Sequence, residues 1–202
     1  MQEHLLILAS GSPRRKELLG SLGLTFDILV SDADESFTPG QPPVEIVQEL
    51  AYRKASAVAN TLSVGIVLGA DTIVVCDEEI LGKPTDVEDA KRMLKRLSGR
   101  SHTVYTGIAL VEAGGTGRTL RDVRGTEVVM KPLTDAQIDA YVATGEPMDK
   151  AGAYGIQGKA SQFITGIDGD YFTVVGLPVS LVADRLTEWG FDVLPKSDRE
   201  GR

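Results

Sequence analysis

The sequence predicts an α/β fold, and three observations carry that expectation. Leu5–Ala9 is a short apolar run, followed by the small-residue turn Ser10-Gly11-Ser12 and then Pro13. Ser12 is a ready N-cap and Pro13 suits a first helical position. Val64–Leu68 is nearly continuously apolar, the pattern of a central strand covered on both faces. Between these runs Val47, Ala51, Ala55, Val58 and Leu62 recur at helical spacing.

Taken in order, the first helix carries Leu18, Leu19 and Leu22 on one face and ends at Gly23. Its first turn holds Arg14, Arg15 and Lys16. The helix dipole disfavours cations there by about 0.3–1 kcal/mol each. A tight turn with free backbone N–H groups and a cationic first turn together make an anion site. Leu24–Val30 alternates as a second strand, and Asp32, Asp34 and Glu35 follow it. The loop Pro39–Pro43 then leads into a long amphipathic helix reaching about Leu62. Lys54 falls on the apolar stripe of that helix and leaves two readings open, a side chain snorkelling to the rim of the core or one pointing into a cleft.

The strand at Val64–Leu68 ends in Gly69-Ala70-Asp71-Thr72, and the chain stays apolar through Cys76. Asp77-Glu78-Glu79 reads as a hairpin turn returning through Ile80-Leu81. A carboxylate between apolar strand segments favours a catalytic or metal-binding role over capping a turn. Lys83, framed by Gly82 and Pro84, suits a solvated loop. Thr85 and Glu88 predict a capping box for a helix with Val87, Ala90, Leu94 and Leu97 inward, ending at Gly99. His102–Val111 and Arg118–Met130 predict two strands joined by the 112–116 loop, the best candidate for a lobe junction. Thr134 and Gln137 make a second capping box.

Gly145–Gly158 lacks periodicity and interleaves Gly145, Gly152, Gly155 and Gly158 with Lys150, Tyr154 and Gln157. Glycine lets a backbone approach a ligand closely. The stretch reads as a structured ligand-facing loop, with a simple connection as the alternative. Phe163–Ile167 and Tyr171–Val175 flank Asp168-Gly169-Asp170, a hairpin signal. A last helix follows Gly176-Leu177-Pro178, with Leu181, Val182, Leu186 and Trp189 inward, and residues 196–202 form a polar tail.

Composition narrows the function. The 202 residues suit one large domain or two closely associated lobes, and no apolar run is long enough to span a membrane. One cysteine rules out an internal disulfide and a Cys-rich zinc site, and a cytoplasmic protein is the simplest expectation. A net charge of −8 argues against a nucleic acid polymer as partner, while leaving room for a small phosphorylated ligand in a local cationic pocket. Neither His4 nor His102 lies in a recognisable His-based motif. There is no Walker A sequence and no G-x-G-x-x-G. What remains is a set of cations (Arg14, Arg15, Lys54, Lys83, Lys150), the acids Glu35 and Asp71, and the Gly-rich stretch. Cations that neutralise phosphate, with carboxylates that hold a hard divalent metal or orient water, are the parts phosphoryl chemistry needs.

Six stretches together match a known pattern: Leu8–Arg15, Gly69–Thr72, Gly82–Pro84, Leu97–His102, Asp149–Gly158 and Gly176–Pro178. Through them the chain resembles the Maf family of nucleoside triphosphate pyrophosphatases over nearly its whole length. The resemblance implies a mixed β-sheet with two lobes around a deep cleft, similar to the inosine triphosphate pyrophosphatases, as one domain over residues 1–195, and often a homodimer. It implies hydrolysis of a nucleoside triphosphate to the monophosphate and pyrophosphate with Mg²⁺ or Mn²⁺. The family's general base matches Asp71, and its acidic metal-site partner matches Glu35, which has Asp32 and Asp34 beside it. Its phosphate-contacting cations match Arg14, Arg15, Lys54 and Lys83, and its substrate-selecting positions fall on Arg14, Thr72 and Gln157. That pattern resembles the branch acting on dTTP and UTP, with modified pyrimidine triphosphates as further substrates, and differs from the 7-methyl-GTP branch. A nucleotide-binding regulator linked to septum formation and a phosphatase releasing orthophosphate are the competing expectations.

Overall fold

A computed structural model of the chain describes residues 5–38 and 40–194. The polar tail and the first four residues lie outside that range. Strand β1 (Leu6–Leu8) leads through the Ser10–Ser12 turn into helix α1 (Pro13–Gly20), where the Ser12 hydroxyl accepts from the Arg15 amide at 3.5 Å and Pro13 opens the first turn. The alternating stretch that follows forms only a two-residue strand, β2 (Asp27–Ile28), parallel to β1. Its pairing is confined to Ile7 and Leu8 of the three-residue β1, with one further amide bond from Leu29 to the Leu8 carbonyl.

Helix α2 (Pro43–Ala59) buries Val47, Ala51, Ala55 and Val58 against the sheet. Strand β3 (Gly65–Cys76) does not end near Asp71; it runs unbroken for twelve residues and turns at Asp77-Glu78 into β4 (Glu79–Leu81). Both turn residues have positive φ, as a two-residue hairpin turn matching the strand twist requires. Helix α3 (Val87–Leu97) starts one residue later than its expected cap. Asp86 accepts from the Asp89 amide, the Asp89 carboxylate reaches back to Thr85, and Val87 is exposed while Met93 takes an inward place.

Strands β5 (Ser101–Ala113) and β6 (Thr119–Met130) form a long antiparallel pair, so the 112–116 loop joins two strands of one sheet and is not a junction between lobes. Helix α4 (Asp135–Val142) carries the expected Thr134–Gln137 capping box. The Gly-rich stretch folds into short 3₁₀ turns, Glu146–Asp149 and Ala151–Ala153, and a third turn spans Lys159–Phe163. Strand β7 (Ile164–Asp168) pairs with β6, but Tyr171–Val175 is helix α5 and not the second arm of a hairpin. Asp170 accounts for the difference. Its carboxylate accepts from the amides of Phe172 and Thr173, a capped helix start that overrides the β propensity of the residues after it. Helix α6 (Val179–Glu188) closes the described chain on the core side with Leu181, Val182 and Leu186.

The result is a mixed seven-stranded sheet of order β2-β1-β3-β5-β6-β7, with β4 on β3. Alternate residues of the central strands enter two separate apolar layers. Ile7 and Val67 pack beneath α2, while Leu6, Leu8, Ile66, Leu68 and Ala70 join the larger cluster with Leu19, Leu94, Leu97 and Leu186. Strand β5 covers one edge of β3 from Gly65 to Val75. On the other edge β1 covers residues 66–68 and β4 covers 74–76. Residues 69–73 lie between them with no neighbouring strand on that side, and the cleft lies there.

Candidate active site

A cleft of about 710 Å³ opens over this gap. That is within the range of about 300–1,000 Å³ typical of small-molecule sites. Asp71 and Thr72 are successive strand residues and project to opposite faces of the sheet. Both line the cleft, which straddles the uncovered edge.

Asp71 faces α2. That helix approaches closely because β3 and β5 present glycine to it: a Cβ at Gly69 would stand 2.2 Å from the Ala51 carbonyl oxygen, and one at Gly107 would stand 2.4 Å from that of Val47. The close approach delivers Lys54 to Asp71, to which its ammonium donates, and Glu35 completes the trio at 2.7 Å from the Lys54 Nζ. Of the two readings of Lys54, the cleft-facing one holds. The Lys54 hydrogen bond keeps the Glu35 carboxyl below its ordinary range, against the opposing effect of burial and with smaller help from the charges of Lys54, Lys83 and Arg15. Asp34, beside it, is turned away onto the Ser36 amide and hydroxyl.

The other side of the gap belongs to Arg15 and Thr72. Arg15 donates from Nε to the Gly176 carbonyl at 2.8 Å, from Nη2 to Thr72 Oγ1 at 3.1 Å and from Nη1 to Ser10 Oγ at 3.4 Å. Burial works against its charge, and the nearby Asp71 carboxylate favours it. It ties the start of α1, strand β3 and the Gly176–Pro178 turn together, and still has N–H groups to spare on both terminal nitrogens. Arg14 reaches over the cleft toward Asp149, 3.8 Å away. Lys83 is exposed on the rim and forms no ion pair with another described residue. The amides of Gly11 and Arg14 likewise have no protein partner among the described residues, so the turn before α1 has free N–H groups as well as cations.

The Gly-rich stretch forms the far wall. Gln157 is exposed on it, and its amide makes no hydrogen bond to a described residue. Lys150 is not a free cation: its ammonium is spent on the Glu146 carbonyl at 2.7 Å and the Asp149 carboxylate at 2.6 Å. Residues to which the sequence assigned no individual role build this wall. Glu146 accepts from the Tyr141 hydroxyl at 3.0 Å and the Lys159 amide at 3.1 Å, and only a glycine at 158 leaves room for its carboxylate. His102 Nε2 and the Tyr154 hydroxyl are 2.7 Å apart behind it, and burial pushes the His102 pKa down to about 4. Thr106 and Thr173, fully buried, were also missed. Nothing in the local sequence marks Thr106; only the β3–β5 register, which sets it opposite Thr72, brings it to the site.

The arrangement thus has a carboxylate pair clamped by one lysine, a cationic turn with free amides, and a wall with an unpaired amide side chain. Among the described residues no group of three or more His, Cys, Asp and Glu side chains could hold a metal ion by itself. Comparison with known proteins places the chain among relatives. A family model described as Maf-like protein matches residues 5–189. A dTTP/UTP pyrophosphatase of Moorella thermoacetica is 54% identical over 188 residues, covering 93% of this chain and 96% of the relative. One of Desulforamulus reducens is 52% identical over 189 residues, covering 94% and 98%. Among solved structures, a HAM1 protein from Coxiella burnetii superposes with a TM-score of 0.51 at 18% identity, covering 92% of this chain and 99% of that one. That likeness extends to the fold: a mixed α/β sheet of the same kind.

Proposed function

The chain belongs to the Maf family, and from that premise we propose that it hydrolyses dTTP and UTP to the nucleoside monophosphate and pyrophosphate. The observation that carries the reading is the meeting of Asp71, Glu35 and Lys54 in the same cleft as Arg14, Arg15, Lys83 and Gln157. Two relatives that match nearly end to end carry the name dTTP/UTP pyrophosphatase.

In this reading the triphosphate lies against the turn before α1, where Arg14, Arg15 and Lys83 supply charge and the Gly11 and Arg14 amides supply donors. Asp71 takes a proton from a water that attacks the α-phosphorus. The new P–O bond forms as the bond to the bridging oxygen of the leaving pyrophosphate breaks. Lys54 and the arginines stabilise the charge that grows on the phosphate oxygens. Gln157 reads a base edge with an amide that can both donate and accept.

Glu35 and Asp71 also fit a divalent cation. Their carboxylates converge on one point, now held by the Lys54 ammonium. Two protein carboxylates suit Mg²⁺, which takes its remaining ligands from water and substrate phosphate and does not need a closed protein cage. Mn²⁺ accepts the same oxygen donors. When bound, such an ion supplies Lewis-acid stabilisation of phosphoryl oxygens. The experiment is to incubate the protein with a panel of nucleoside triphosphates and Mg²⁺ and to assay pyrophosphate and orthophosphate separately. Pyrophosphate from dTTP and UTP is the expected product. Orthophosphate alone would sink the reaction, and tight nucleotide binding without turnover would point to a regulator.

A further inference from the structure

Thr72 sits at the centre of a hydrogen-bond chain whose direction is settled by its two ends. At one end is Arg15, whose guanidinium can only donate, and its Nη2 donates to Thr72 Oγ1 at 3.1 Å. At the other end is the Thr173 carbonyl, which can only accept, and it takes the Thr106 hydroxyl proton at 2.8 Å. The bond between the two hydroxyls, Thr72 Oγ1 to Thr106 Oγ1 at 2.9 Å, then has one possible sense. Thr106 has already used its only proton, so Thr72 must donate to Thr106. The hydrogen positions follow without being seen.

This has a consequence for the cleft. Thr72 lines the cleft, whereas Thr106 and Thr173 are fully buried behind it. The Thr72 hydroxyl has given its proton inward and accepted one bond from Arg15. What it can still offer a ligand is a lone pair. An ordinary threonine can turn to donate or accept as a ligand demands, but this one cannot. We propose that Thr106 is a positioning residue for substrate selection: by taking the Thr72 proton it makes Thr72 an acceptor only, so that the site favours a base presenting a ring N–H. A keto pyrimidine carries that donor at N3. Cytosine has a lone pair at the same atom, and two lone pairs facing each other have no proton to share. The inference deepens the reading above and rests on it.

The test compares kcat and KM for pyrophosphate release from UTP and CTP in the unsubstituted protein, Thr106→Val and Thr106→Ser. Valine keeps the shape and removes the acceptor, which frees the Thr72 proton to turn toward the cleft. The expected result is a fall of about tenfold in the UTP-over-CTP preference, carried by KM, with recovery in Thr106→Ser. A purely structural role would lower both substrates together and leave the ratio where it was, and that result would overturn the proposal. Should Thr106→Val fail to fold, the unsubstituted protein decides with UTP and N3-methyl-UTP. A KM raised about tenfold or more for the methylated base supports the proposal, and equal KM values overturn it. If the unsubstituted protein releases no pyrophosphate from UTP, the functional reading falls and the inference with it. If it does so and the Thr106→Val ratio is unchanged, the inference alone falls.

Discussion

In the proposed reaction Asp71 takes a proton while held by a lysine, and its surroundings suit both. It is nearly buried in a central strand, yet one carboxylate edge looks into the cleft. Replacing it with asparagine keeps the shape and removes the base. Asp71→Asn is expected to lower pyrophosphate release by about 10²–10⁴-fold, the usual contribution of a positioned base, with little change in the thermal midpoint. Wild-type rates in that variant would remove Asp71 from the mechanism. His102 makes a second prediction at this scale. Burial holds its pKa down at about 4 from an ordinary 6.5, so the folded state keeps the ring neutral where the unfolded chain would protonate it. The stabilisation is therefore complete above about pH 6.5 and is lost as pH falls from there toward about 4. At pH 5 the loss is about 2 kcal/mol relative to pH 7. Urea midpoints at the two pH values measure it, and the difference should shrink in His102→Gln; an equal difference in both proteins would assign it to other groups.

At the scale of elements, the contact that matters most for the site is α2 on β3 and β5. Gly69 and Gly107 let two backbone carbonyls of the helix come down onto the sheet, and Lys54 reaches Asp71 because of it. An alanine at Gly69 would place its Cβ 2.2 Å from the Ala51 carbonyl and must push the helix away. Gly69→Ala is expected to cost about 1–3 kcal/mol of stability, as overpacking does. It is also expected to depress turnover by drawing Lys54 off the carboxylate pair. Denaturant unfolding and the pyrophosphate assay read the two effects, and a variant with unchanged stability and rate would show that the helix does not depend on that glycine. The element-level misreadings have one kind of cause. In Tyr171–Val175 the residue types favour a strand, but the Asp170 carboxylate caps a helix start there. In Leu24–Val30 the alternation is right for a strand, but the pairing is confined to Ile7 and Leu8 of β1.

Across the whole molecule, a net charge of −8 coexists with a cleft whose turn and rim gather Arg14, Arg15, Lys54 and Lys83. The carboxylates of Glu35 and Asp71 lie in the same space, so the site brings both signs of charge together where no strand covers β3. No helix among the described residues is long and apolar enough to cross a membrane. Among the described residues Glu35 and Asp71 converge with no third acid, histidine or cysteine to form a cage, so a bound cation should exchange readily. Chelation of divalent cations is expected to abolish pyrophosphate release, and added Mg²⁺ or Mn²⁺ to restore it. A rate unmoved by chelator would take the metal out of the proposed reaction.

The sequence by itself determined the local parts of this protein: the Ser12–Pro13 helix start, the Thr134–Gln137 capping box, the apolar run that becomes β3, and the irregular Gly-rich wall. It also brought Arg14, Arg15 and Asp71 into view, because a cationic first turn and a carboxylate inside an apolar strand are anomalous among their own neighbours, whereas Glu35, Lys83, Thr72 and Gln157 gained individual site roles only through the family resemblance. These signals are legible because caps, turns and periodic burial act over a few residues. Tertiary structure alone decided which way Lys54 points, that Lys150 is spent on the wall, and that Thr106 stands behind Thr72. Those outcomes depend on strand register and on how closely a helix can settle on a sheet. Both are set by packing between segments distant in the chain, and nothing local to Thr106 or Lys54 records it.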